Sequence, residues 1–326
     1  MTVLSRSADH LYWMARQVER AENTARILDV SKRMALLPLG GTESSALGGT
    51  EGSAPGSELD AVLRITGGTK GFHARFPETT TDAVTGYMTL DRKNPSSIYS
   101  TIRAARENAR AERVALTTEM WEALNTTWLE ISRLTPARLA ARGDRNFFDW
   151  IKERSHLFRG TASATMLRDE RYHFLRLGTL VERADNTARI LDVKYHILLP
   201  HGVGVGSAID YMQWGALLRS VSAYRTYHHA YKEPIAPVRV AEMLIFNDAF
   251  PRSLHACVND ALELLGLIGG PQGAEAQRLA GELHARLHYG RIESVFSQGL
   301  HEFLTNFIAD NIALGNEIKS AYLVAE

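Results

Sequence analysis

Residues 18–30 read VERAENTARILDV and residues 181–193 read VERADNTARILDV. Twelve of the thirteen positions are identical, and the thirteenth, Glu22 against Asp185, keeps its charge. At a chance of about one in twenty per position, coincidence is excluded, and such self-similarity takes precedence over any local pattern. The sequence reads as an internal duplication. Working outward, AVLR at 61–64 aligns with ALLR at 216–219. NPSSIYSTIRAARE at 94–107 aligns with FPRSLHACVNDALE at 250–263, pairing Pro95 with Pro251, Ser97 with Ser253, Ala105 with Ala261 and Glu107 with Glu263. Each half, 1–160 and 161–326, is domain-sized. Two homologous halves about a pseudo-twofold are expected.

The local pattern is helical. Met14, Val18, Ala21, Ala25 and Leu28 recur at spacings of three and four, which lines one face of a helix. The stretch 97–133 is rich in Ala, Glu, Arg, Leu and Met, with Asn94 as the expected N-cap and Pro95 at the first helical position. Regions 207–231, 239–268, 274–290 and 292–323 read the same way, with breaks at Glu233-Pro234, Gly269-Gly270-Pro271 and Gly290. No run alternates with period two for long enough to make a strand, so the expected class is all-α, a helical bundle. Residues 39–58, LGGTESSALGGTEGSAPGSE, read as a flexible Gly/Ser-rich linker because they hold too few large apolar side chains to fix a conformation.

Composition narrows the function classes. The 326 residues carry 37 basic and 37 acidic groups, a formal net charge of +0. General binding to nucleic acid or to an anionic membrane needs a basic surplus, and neither is expected. The one cysteine, Cys257, excludes an intrachain disulfide framework and a thiolate zinc cluster. Arg6, Asp9 and His10 fall where a signal peptide would place an apolar run, and no stretch approaches the ~18 apolar residues of a membrane span. A cytoplasmic protein is expected.

Within the repeat, Glu19, Asn23 and Arg26 share one helix face, and Glu22 and Arg26 form an i,i+4 pair with Asp29 three residues on. Glu182, Asp185, Asn186, Arg189 and Asp192 repeat the pattern. A solvated face laced with exposed ion pairs tolerates drift, since such substitutions change stability by less than ~0.5 kcal/mol. Yet the neighbouring residues 11–17 match none of 174–180. The contrast points either to a buried polar network or to a ligand or catalytic site, with Glu19, Arg20, Glu22, Asn23, Arg26, Asp29, Glu182, Arg183, Asp185, Asn186, Arg189 and Asp192 as its candidates.

The VERAENTARILD segment, its second copy LRLGTLVERADNTARILD and the NPSSI…AARENAR stretch resemble the alpha-E family, bacterial all-helical proteins of unknown function named for a Glu-Arg motif. The resemblance covers essentially the whole chain and puts that motif on Glu19-Arg20 and Glu182-Arg183. It implies a genomic setting beside a circularly permuted ATP-grasp ligase and a transglutaminase-like protein, in some cases with the proteasome-related hydrolase Anbu. It therefore implies a role in ATP-dependent amide or peptide synthesis or modification, with no activity attached to the family itself.

Other chemistry has little support. Glu153/His156 and Glu170/His173 have Glu-x-x-His spacing, but two such pairs are close to chance at this composition, and no Glu follows His284 in the His284/His288 pair as a zincin needs. No metal site and no cofactor are expected. Gly67-Gly68-Thr69-Lys70 lacks P-loop spacing, and no nucleophile elbow exists. Three function readings remain: a non-catalytic or substrate-presenting partner of the ligase; an enzyme of amide formation or cleavage, with Glu19 and Glu182 as acid/base groups and Arg26 and Arg189 as carboxylate anchors; and a structural homo-oligomer.

Overall fold

The computed structural model of the chain describes residues 3–35, 56–196 and 207–323. Among these residues there is no strand. The helices are α1 (Ser5–Ala35), α2 (Gly56–Ile65), α3 (Thr69–His73), α4 (Thr81–Thr89), α5 (Ile98–Ala111), α6 (Thr118–Ser132), α7 (Pro136–Arg142) and α8 (Asp144–Thr165). After these come α9 (Glu170–His196), α10 (Ala208–Ser220), α11 (Tyr224–Tyr231), α12 (Pro237–Phe246), α13 (Leu254–Ile268), α14 (Ala274–His288), α15 (Ile292–Gln298) and α16 (Leu300–Tyr322). The all-α expectation is met. Residues 39–55 of the Gly/Ser-rich segment lie outside the described residues, and residues 56–58 open α2.

The two helices that carry the repeated segment, α1 and α9, pack on each other at the centre. Their backbones nearly touch. A Cβ on Gly178 would sit 2.3 Å from the carbonyl oxygen of Tyr12, so only glycine admits this approach. Around the pair, α5, α8 and α10 pack on α1, while α13, α16 and α2 pack on α9. The apolar stripe reads out as expected: Met14, Val18, Ala21, Ala25 and Leu28 are all buried. The opposite, polar face is buried too, because α9 and α8 cover it, so residues 21–28 of α1 have no solvated side.

The helix expected over 97–133 is two helices. Its N-cap is Ser97, whose Oγ accepts from the Ser100 amide, and a second helix starts at Thr117, whose hydroxyl accepts from the Met120 amide. Beside the Thr117 cap, Leu116 and Met120 pack into the cluster of Leu11, Met14 and Val18 where the chain turns at 112–117. Asn94 instead makes a turn, accepting from the Ser96 amide (3.0 Å) and donating to the Tyr87 carbonyl (3.0 Å). Similarly, 239–268 breaks between α12 and α13, where Ser253 caps α13 and its hydroxyl donates to the Asn247 carbonyl (2.5 Å). Region 207–231 turns at Ser222 (φ 60°), and 292–323 turns at Gly299 (φ 105°).

Candidate functional site

Glu19 and Glu22 lie one turn apart on α1 and are both fully buried. Two arginines from other helices each span both carboxylates. Arg159 of α8 reaches Glu19 at 2.7 Å and Glu22 at 2.5 Å. Arg252, in the turn before α13, donates to Glu19 at 2.9 Å and to Glu22 at 2.5 Å. Arg183 adds a two-pronged contact to Glu19 (3.0 and 3.1 Å), and Arg26 donates to Glu22 (2.8 Å), to Ser222 (2.8 Å) and to the Ser220 carbonyl (3.0 Å). His156 approaches Glu22 at 3.4 Å. Two acids thus face four guanidinium groups.

Burial pushes the Glu19 carboxyl up, but Arg183, Arg159 and Arg252 together reverse this and hold it down at about 2. Glu22 is likewise raised by burial and pulled well below the usual carboxylate range by Arg252, His156, Arg159 and Arg26. Both are held in the ionised form, and Glu22 Oε2, which has no directed hydrogen bond, is met by the Arg159 guanidinium as an ion pair at 2.5 Å. The cluster ties α1 to α8, α9 and the turn before α13 through buried ion pairs.

On α9 the repeated residues meet a different environment. Glu182 accepts from Arg16 (2.8 Å) and, at 2.5 and 2.9 Å, from Arg20. Burial raises its carboxyl, and Arg20 and Arg16 bring it down to about 2. Asp185 holds Arg189 with bonds of 2.7 and 3.1 Å. Arg20 of α1 therefore reaches Glu182 of α9, just as Arg183 of α9 reaches Glu19 of α1. In the alignment that pairs Pro95 with Pro251 and Ser97 with Ser253, however, the residue opposite Arg252 is Ser96. Where a guanidinium fills the first cluster, the second has a cavity of about 250 Å³. Its walls are Arg20, Asn23, Thr24 and Ile27 of α1, Ile65 at the end of α2 with Thr66 and Gly67 after it, Ser96, and Glu182, Asp185, Asn186 and Arg189 of α9.

That space is large enough for several waters or a small ligand. Its charged walls balance, Arg20 and Arg189 against Glu182 and Asp185. Asn23 is 3% exposed, and its Nδ2 has no hydrogen-bond partner. A buried orphan donor of this kind costs about 1–3 kcal/mol unless something accepts from it. Arg20 spends Nε and Nη2 on Glu182, which leaves Nη1 for another acceptor.

Of the twelve sequence candidates, ten gather here: Glu19, Arg20, Glu22, Asn23 and Arg26 with Glu182, Arg183, Asp185, Asn186 and Arg189. Asp29 and Asp192 do not. Asp29 pairs with Arg33 (3.1 Å) and Lys152 (3.3 Å), and Asp192 pairs with His301 (2.7 Å). The sequence reading did not single out Arg16, Arg159 or Arg252. Arg16 stands one turn before Arg20, a spacing visible in the sequence, and Arg252 is marked by its mismatch with Ser96. Arg159 carries no local signal.

A family model, Alpha-E, described as a predicted alpha-helical domain with a conserved ER motif, matches residues 3–323. An uncharacterized protein of Mycobacterium bovis is 22% identical over 309 residues, covering 92% of this chain and 34% of that protein. An uncharacterized protein of Mycobacterium tuberculosis matches to the same extent. The chain spans about a third of the length of these curated relatives. No solved structure matches.

Proposed function

We propose that this chain, which belongs to the Alpha-E family, is a non-catalytic partner that presents an amino acid or peptide end to an ATP-grasp-type ligase, in peptide or amino-acid-conjugate synthesis or modification. The observation that carries the reading is the charge-balanced cavity between α1 and α9, with the buried Nδ2 of Asn23 lacking an acceptor. A small zwitterion matches it. Its carboxylate would take the donors of Asn23 and Arg20, and its ammonium the lone pairs of Asp185 and Glu182. The acids themselves argue for presentation over chemistry, because a general base works best with a pKa near the operating pH and Glu19 and Glu182 sit at about 2.

The resemblance of the Glu-Arg segments supplies the ligase as partner, with a transglutaminase-like protein and Anbu as further members of the same setting. The length of the mycobacterial relatives supports a region that works together with other polypeptide. An ATP-dependent partner puts the site of action in the cytoplasm, and no helix among the described residues is long and apolar enough to cross a membrane. The proposal includes two halves, 1–160 and 161–326, about a pseudo-twofold. Support comes from the reciprocal Arg20–Glu182 and Arg183–Glu19 pairs and from the matched serine caps of α5 and α13.

Coexpression with the ligase tests the proposal. The two should co-elute, and ligase turnover should rise when the chain is added. Independent elution at micromolar concentration, with turnover indifferent to the addition, would overturn it.

A further inference from the structure

Away from the α1/α9 interface, three histidines converge on the outer side of α13 and α14. His284 and His288 stand one turn apart on α14, and His255 reaches them from the first turn of α13. One ring nitrogen from each lies within 4.8 Å of one from each of the others. The ring centroids form a nearly equilateral triangle with sides of 5.3, 5.5 and 5.5 Å. A tetrahedral metal with bonds of about 2.0–2.1 Å to three imidazoles puts the ring centres about 5.2 Å apart and the ligating nitrogens about 3.3 Å apart. Closing from the present arrangement moves each nitrogen inward by roughly 1 Å or less, within the reach of a small side-chain rotation.

The surroundings prepare these rings for a cation. The Nδ1 of His255 lies 3.1 Å from the carbonyl oxygen of Phe246, the last residue of α12. A carbonyl only accepts, so Nδ1 carries the hydrogen and the Nε2 lone pair is the one left for a metal. Metal-bound histidines are oriented by this kind of second contact. Glu263, on the same helix as His255, adds a negative charge near His284. His255 is buried, His284 half-buried and His288 exposed, so the cluster opens to solvent on the His288 side.

We propose that His255, His284 and His288 form a binding site for one divalent transition-metal ion of the zinc class, with an open fourth position for water or a substrate's donor atom. Three neutral imidazoles suit this class over magnesium or calcium, which take oxygen ligands. The site is separate from the α1/α9 cavity and does not depend on the function proposed for it.

The test uses the full chain, free of any histidine tag and stripped with chelator, titrated with Zn²⁺ by calorimetry and with Co²⁺ by visible absorption. One equivalent should bind with a Kd in the micromolar range or below, and Co²⁺ should show the intense bands of a four-coordinate site. His288→Gln alters an exposed side chain and should leave the fold intact while weakening binding at least tenfold, and His284→Gln should do the same. The melting temperature should rise with Zn²⁺ in the parent and not in His288→Gln. Absence of binding below about 100 μM, or equal affinity in parent and both variants, would overturn the proposal.

Discussion

Replacing Arg252 by methionine removes the guanidinium that bridges Glu19 and Glu22 while keeping an unbranched chain of similar reach. Breaking a buried charge pair by deleting one partner costs about 3–5 kcal/mol. Here the cost falls at the lower end, for two reasons. Glu19 keeps Arg159 and Arg183, and Glu22 keeps Arg26 and Arg159. Arg252 is itself disfavoured as a cation by burial and by the nearby charges of Arg183 and Arg26, so its pKa is lowered. We expect Arg252→Met to lose about 3 kcal/mol, a fall in melting temperature of roughly 6 °C at about 2 °C per kcal/mol for a chain of this size. The assay is urea unfolding of the parent, Arg252→Met, Glu22→Gln and the double variant. The cycle should return a coupling of at least about 1 kcal/mol. The gap between parent and Arg252→Met should hold constant above pH 4.5 and narrow as the pH falls toward 2 and the carboxylates take up protons. A loss under about 1 kcal/mol with no coupling would show that Arg252 does not bridge the two buried carboxylates.

Three further outcomes are expected. The folded-state pKa values of Glu19 and Glu182 are depressed to about 2 from 4.5, so their contribution is fully present above pH 4.5 and is lost as pH falls toward 2. Each is worth about 3 kcal/mol by linkage, and urea midpoints should be flat from pH 8 to 5 and then drop steeply. Gly178→Ala should destabilise the protein by at least about 1–2 kcal/mol despite the ~1 kcal/mol that alanine gains over glycine in a helix, because its Cβ would meet the Tyr12 backbone; a rise in melting temperature would show that α1 and α9 do not approach so closely. Cys257, whose thiol burial pushes up to about 12, should resist a thiol reagent at pH 8 in the native state and react only on unfolding.

The helical class and the central role of the repeated segment were legible because both rest on local pattern: a stripe at spacings of three and four, and twelve identities in thirteen. The meaning of the polar face was not. Residues such as Glu19 and Glu22 look the same in sequence whether water or four arginines surround them, and their partners arrive from α8, α9 and the turn before α13. The helix breaks at 112–117 and 247–253 were missed. At 112–117 the residues are mostly good helix formers, and Leu116 and Met120 pack against α1 on either side of the Thr117 cap; at 247–253 the signals were present, Asn247, Pro251 and the Ser253 cap, and mark a break that the apolar run on either side hides. The His284/His288 pair is visible in the sequence at i,i+4, but the approach of His255 is not, because it stands on another helix.

In the proposed function, the cavity beside Glu182 and Asp185 receives a ligand where the first cluster receives Arg252. Ser96→Arg would fill it with the guanidinium that the aligned position carries. Calorimetric titration of the twenty common L-amino acids and Gly-Gly into the parent and Ser96→Arg should show at least one binding the parent with a Kd below about 1 mM. Binding to Ser96→Arg should be at least tenfold weaker, a difference of about 1.4 kcal/mol, with the melting temperature unchanged or raised. No binding to the parent, or equal binding to both proteins, would show that the cavity is not a ligand site.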